Sequence, residues 1–148
     1  MVNDRISVRG DLDITLYDEF GNIKQHLEVP NLIVTVGKNH IASRLVGVTS
    51  NVMSYMALGT SSTTPSVGDT GLNAEIASSR TGISLTNSNN TIIATATFGA
   101  GVGTSATVQE AGLFNASTGG TMLAHTTFPA LNKSSSDTLS VNWTITIA

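Results

Sequence analysis

Apolar and polar positions alternate most strictly near the end of the chain. Over residues 138–147, Leu139, Val141, Trp143, Ile145 and Ile147 fall on one side and Ser140, Asn142, Thr144 and Thr146 on the other. A period of two in β-branched and aromatic residues predicts a half-buried strand, with Trp143, the single tryptophan, in the core. The same period marks residues 10–19, where Leu12, Ile14 and Leu16 alternate with Asp11, Asp13, Thr15 and Tyr17. Turn formers at 18–22 and a second run at 23–29 make this pair a predicted β-hairpin. Pro30 reads as an interruption, with a further apolar strand over 31–36.

Helical spacing appears once. Ile41, Ala42, Leu45 and Val46 form a stripe that Gly47 terminates, predicting a helix over about residues 38–46 that must dock on the sheet. Residues 53–59 form a short apolar strand, followed by a hydroxyl-, Pro- and Gly-rich loop over 60–71 of the length that usually carries function. A brief helical turn is expected at 72–76. Strands at 80–86 and 91–98 flank a turn at 87–90, and 99–105 is a glycine-rich connector. Residues 108–114 form a strand in which Gly112 marks a bulge or a close backbone approach. Residues 121–128 return until Pro129 breaks the run, and 132–137 turn into the closing strand. Eight to ten short strands and one helix predict an all-β domain over residues 1–148, an antiparallel β-sandwich or jelly-roll-like fold. Residues 1–10 are expected to form an extended N-terminal arm.

Charge sharpens this picture. Residues 1–50 hold eleven of the seventeen formal charges, and the remaining 98 residues hold six: Asp69, Glu75, Arg80, Glu110, Lys133 and Asp137. The charged fraction of 11% compares with about 25% in ordinary soluble domains. Most of the chain therefore meets its surroundings through Ser, Thr and Asn, a surface that can be covered by a partner without desolvating ions. Net charge −3 argues against a nucleic-acid partner. No apolar run approaches a membrane span, and residues 1–10 lack a signal-peptide pattern, so synthesis in a cytoplasm is expected.

Candidate chemistry is sparse. Gly99, Gly101 and Gly103 are followed by Thr104 where a dinucleotide loop needs glycine, and no helix or lysine follows. His26, His40 and His125 lie in separate elements without metal-ligand spacing, so no metal or other cofactor is expected. Glu110 is the acid of most interest, set in the neutral run Ala111-Gly-Leu-Phe114. Paired-acid hydrolysis would require Glu75 or Asp137 opposite it, and a hydrogen-bonded structural role is expected instead. Serine is abundant, but no Gly-x-Ser-x-Gly elbow occurs. The sequons at Asn89, Asn115, Asn132 and Asn142 are read as chance in a Thr-rich chain.

Three stretches, taken together, carry a resemblance. They are Val29-Pro-Asn-Leu-Ile-Val-Thr-Val-Gly-Lys-Asn39; Tyr55-Met-Ala-Leu-Gly-Thr-Ser-Ser-Thr-Thr-Pro65 with Gly68-Asp-Thr-Gly-Leu72; and Val108-Gln-Glu-Ala-Gly-Leu-Phe-Asn115 with Gly120-Thr-Met-Leu-Ala124. In this order they resemble small virion proteins of tailed bacteriophages, both head decoration (cement) proteins and tail-fibre or baseplate-associated proteins. The resemblance implies a non-enzymatic virion component. The short chain, with no repeat or heptad, favours a capsid cap over a fibre rod. The expected partners are the major capsid protein and copies of the chain itself, in a trimer. Tail proteins or a host-surface glycan are the alternative, with Phe20 the one obvious loop aromatic for stacking on a sugar. The expected contacts are Asp4, Arg5 and Arg9 in the arm and Thr60, Ser61, Ser62, Thr63, Thr64 and Pro65 in the long loop.

Overall fold

A computed structural model of the chain describes residues 4–103 and 107–148. Residues 1–3 of the expected arm, and Thr104 and Ser105 of the glycine-rich connector, lie outside the described residues. In chain order the elements are β1 (Val8–Tyr17), β2 (Ile23–Ile33), α1 (Thr35–Leu45), β3 (Tyr55–Gly59), β4 (Thr81–Gly82), β5 (Ser84–Ser88), β6 (Thr91–Phe98), β7 (Thr107–Phe114), β8 (Met122–Asn132) and β9 (Thr138–Ile147). All pairings are antiparallel, in the order β4-β3-β7-β8-β2-β1-β9-β6-β5. The all-β class and the single short helix are as expected.

The two layers are halves of one continuous sheet that turns over at β2. Residues Ile23 to Asn31 of β2 pair with β1, whereas Leu32 and Ile33 pair with His125 and Ala124 of β8. A strand that changes partners in this way makes the corner of a folded sheet. Between the halves lies the main core, with Leu12, Ile14 and Leu16 of β1, Phe98 of β6, and Leu139, Val141 and Trp143 of β9 all buried. Trp143 is fully buried, as the alternation predicts.

Both prolines read as breaks lie inside strands. Pro30 directs its carbonyl towards β8, where it accepts the Thr126 hydroxyl at 2.9 Å. The amide of a strand residue points to the same side as its carbonyl. Pairing with β8 begins only at Leu32, so no donor is required of Pro30. Pro129 falls at the register shift between Val108 and Glu110, a bulge where a ladder hydrogen bond is already absent.

The helix starts three residues before the expected boundary, at Thr35, so the strand expected over 31–36 ends at Ile33. Gly37 is the reason. Its Cα packs on the backbone of Leu123, and a Cβ there would lie 2.8 Å from the Leu123 Cα. The missing side chain lets the first turn lie flat on β8. Residues 72–76 form no helical turn; Glu75 bridges to Gly59 on the edge of β3. Residues 80–86 likewise divide into β4, paired to β3, and β5, paired to β6. Part of the segment expected as an N-terminal arm belongs to the sheet. Ser7 exchanges backbone hydrogen bonds with Ala148 at 2.7 and 2.8 Å, and Val8, Arg9 and Gly10 belong to β1.

Candidate functional site

The long loop after β3 is a strap across the second face of the β8-β7-β3 half. Val67 accepts a hydrogen bond from Thr35 N at the start of α1, and Asp69 reaches His125 of β8. Leu72 then sits over Gly112 of β7, where a Cβ would come within 2.8 Å of it. Asn73 and Ala74 bond to Glu110, also of β7, and residues 74–76 close along β3 through Thr60 N–Ala74 O and Ile76 N–Leu58 O, both 2.9 Å. Residues 67–76 thus visit three successive strands. The expected close approach at Gly112 is the seat for Leu72.

Beneath the strap runs a chain of ionisable side chains. Glu110 Oε2 is 2.8 Å from His125 Nε2, and Asp69 Oδ2 is 2.8 Å from His125 Nδ1. Glu110 and His125 are fully buried. The Glu110 carboxylate also accepts the amides of Ala74 at 2.7 Å and Asn73 at 3.2 Å. Only the imidazolium form of His125 can donate to both acids at once. Burial pushes the Asp69 carboxyl upward, but the Ser66 amide and His125 outweigh it and hold it below its ordinary value. This is a buried structural tie, as the reading of Glu110 anticipates. Both ring nitrogens of His125 are committed to carboxylates, so neither is placed to take a proton from an attacking hydroxyl or water.

Neither acid considered opposite Glu110 meets it. Glu75 pairs with Arg80 at 2.7 Å, and Asp137 pairs with Lys24 at 2.6 Å. Arg80 is a clamp that the sequence gives no reason to single out. Its Nη1 donates to the carbonyls of Ala116 and Gly119, and its guanidinium lies 3.7 Å above the Phe114 ring.

The expected contact residues form two separate groups. Asp4, Arg5 and Arg9 are exposed where β1 begins, with Arg9 paired to Asp11 at 3.0 Å. In the loop, Ser62, Thr63 and Thr64 are exposed, while Thr60, Ser61 and Pro65 are half-buried. Thr60 is tied down by Ala74 and by Gln109 Nε2, and Ser61 Oγ accepts the Thr63 amide at 3.1 Å. Thr64 and Pro65 border a cleft of about 240 Å³ with Pro30, Asn31 and Thr127. No hydrogen bond or ion pair joins the two groups among the described residues.

On the outer face of the β1–β2 hairpin, Asp13, His26 and Glu28 bring one ligand atom each within 4.8 Å of one another. The ring of His26 is bonded to Asp13 at 2.9 Å. Sequence spacing conceals this convergence because antiparallel pairing sets Asp13 opposite Glu28 and beside His26.

The largest departures from a sealed surface are apolar. Ile6 is 78%, Leu45 83% and Val46 79% exposed, and Val48 and Val52 are also exposed at this end of the sheet. Phe20 is 81% exposed at the tip of the β1–β2 hairpin, with Ile23 beside it. No family model, curated protein or solved structure matches the chain.

Proposed function

We propose that this chain is a non-enzymatic structural component of a tailed-bacteriophage virion, a decoration protein that binds the outside of the head and stabilises it. The observation that carries an assembly role is the exposed apolar surface at both ends of the sheet, in a chain of which only 11% is charged. Ile6, Leu45, Val46, Val48 and Val52 at one end and Phe20 and Ile23 at the other are large side chains left in water. Ile6 and Leu45 line one recess and Leu45 and Val52 another, and joined apolar surface of this kind marks sites that a partner covers. The strap supports the same reading, because an anchored loop presents Ser62, Thr63 and Thr64 to a partner with little ordering cost. The resemblance to phage virion proteins supplies the setting, with the major capsid protein and further copies of the chain as partners.

The test is immunogold labelling of intact particles of the encoding phage, combined with mass spectrometry of the purified virion. Label spread over the head is the expected result. Label confined to the tail would replace decoration with a fibre or baseplate role, and absence from the particle would overturn the virion reading.

A further inference from the structure

The two apolar ends differ in shape and charge, and they complement each other. The hairpin tip is a projection. Asp18 accepts the amides of Phe20 at 2.9 Å and Asn22 at 2.8 Å and the Asn22 side chain at 3.1 Å, which fixes the turn and presents Phe20 outward beside Glu19. The other end is a recess. A cleft of about 240 Å³ opens beside α1, and ten of its twelve lining residues are apolar, among them Ile41, Leu45, Val52, Leu85, Ile92 and Ile147. Of the remaining two, Arg44 carries a positive charge, whereas burial and the neighbouring Arg44 hold His40 below its ordinary value; no acid lines the cleft.

The tip and the cleft lie at opposite ends of β1. Val8 pairs with Ile147, which lines the cleft, whereas Tyr17 pairs with Thr138 and leads into the tip. Ten residues of strand separate them, roughly 30 Å. A chain cannot fill its own cleft across that span, but a second copy can.

We propose that copies of this chain associate head to tail, with Phe20 of one copy seated in the α1 cleft of the next. Asp18 and Glu19 of the tip face Arg44 of the cleft, which sets the direction of approach. Phe20 is the rigid aromatic anchor of the contact, and its exposed apolar surface is what burial removes from water. Such a contact is heterologous, so it closes into a ring or continues as a filament. The contact stands whether the assembled chain sits on a head or a tail, so its failure and the failure of the decoration reading are separate results.

Two exposed-site variants test it: Phe20→Asp, which removes the anchor, and Val52→Asp, which puts a carboxylate in the cleft. Circular dichroism melts confirm that each folds. Sedimentation equilibrium should show concentration-dependent assembly of the native chain, weakened about thirtyfold in either variant, the scale of a hot-spot residue. An equimolar mixture of the two variants should form one-to-one dimers and nothing larger. Phe20→Asp keeps a working cleft and Val52→Asp a working tip, so only one productive contact remains. A native chain monomeric up to about 1 mM, assembly unaffected by Phe20→Asp, or a mixture that stays monomeric would each overturn the proposal.

Discussion

Glu110 and His125 meet at 2.8 Å without access to solvent, although they are not opposite each other in the sheet. In the register of β7 and β8, Glu110 faces Thr127 and His125 faces Gly112. The acid reaches diagonally across the pair and packs over Gly59 of β3, and its other oxygen holds the strap at Ala74. The tie therefore serves sheet and strap together.

Removing its centre should be costly. In His125→Leu both carboxyl groups lose a hydrogen-bond partner at 2.8 Å, and Glu110 is left fully buried beside an apolar side chain. A loss of about 3–5 kcal/mol is expected, the usual result of breaking a buried pair from one side. Urea unfolding measures it, and limited proteolysis should find residues 60–76 cut faster than in the native chain. A loss below about 1 kcal/mol would show that the strap holds without its tie.

Acid should weaken the fold in a defined window. The Lys24 ammonium and the Ser134 amide hold the Asp137 carboxyl below its ordinary 3.8, and the Ser66 amide and His125 do so for Asp69 against the effect of burial. A carboxyl lowered on folding stabilises above its unfolded value and loses that contribution as pH falls through its folded one. Stability from these two acids should hold from neutrality to about pH 4 and decline below it. Asp137→Asn should lower stability at neutral pH and make the decline shallower. An unchanged acid slope would contradict this assignment.

Two glycines should respond differently to alanine. At Gly37 the new methyl would meet backbone atoms of Leu123, which cannot move without shifting β8. At Gly112 it would meet side-chain atoms of Leu72 and Phe114, each at 2.8 Å, and Met122 at 3.2 Å. Gly37→Ala should cost about 1–3 kcal/mol by overpacking, and Gly112→Ala less because side chains can yield. Thermal melts of the two variants compare them directly; the reverse ranking would argue against the helix seat.

Arg80→Lys tests whether the clamp depends on guanidinium geometry. An ammonium cannot bond Glu75, the Ala116 carbonyl and the Gly119 carbonyl while lying flat on Phe114. A loss of about 1–2 kcal/mol in chemical denaturation is expected. Native stability in the lysine variant would reduce Arg80 to a point charge.

Much of the fold is legible from alternation. Residues 138–147 declare β9 because their two faces differ, one packed on the core and one open to solvent. The elements missed are those where tertiary contacts override local signals. Pro30 and Pro129 look like strand ends, yet each stands where the ladder asks for no donor. Gly37 looks like a helix boundary and is instead the helix's flattest contact. The tie is legible only in part. Glu110 stands out as a lone acid in a neutral run, but His125 and Asp69 reach it through a diagonal contact and a crossing loop, neither of which leaves a spacing in the sequence. The apolar ends are legible only in part: Phe20 stands out as a loop aromatic, whereas Leu45 and Val46, expected in the stripe that docks the helix, point into solvent beyond the sheet.

Reconstitution tests the decoration role most directly. Heads of the encoding phage prepared without this chain would be incubated with the purified protein and then heated. Saturable binding at a fixed number of copies per head, with DNA release moved to higher temperature, is the predicted result. Heads that bind none of the protein, and release DNA at an unchanged temperature, would contradict the account.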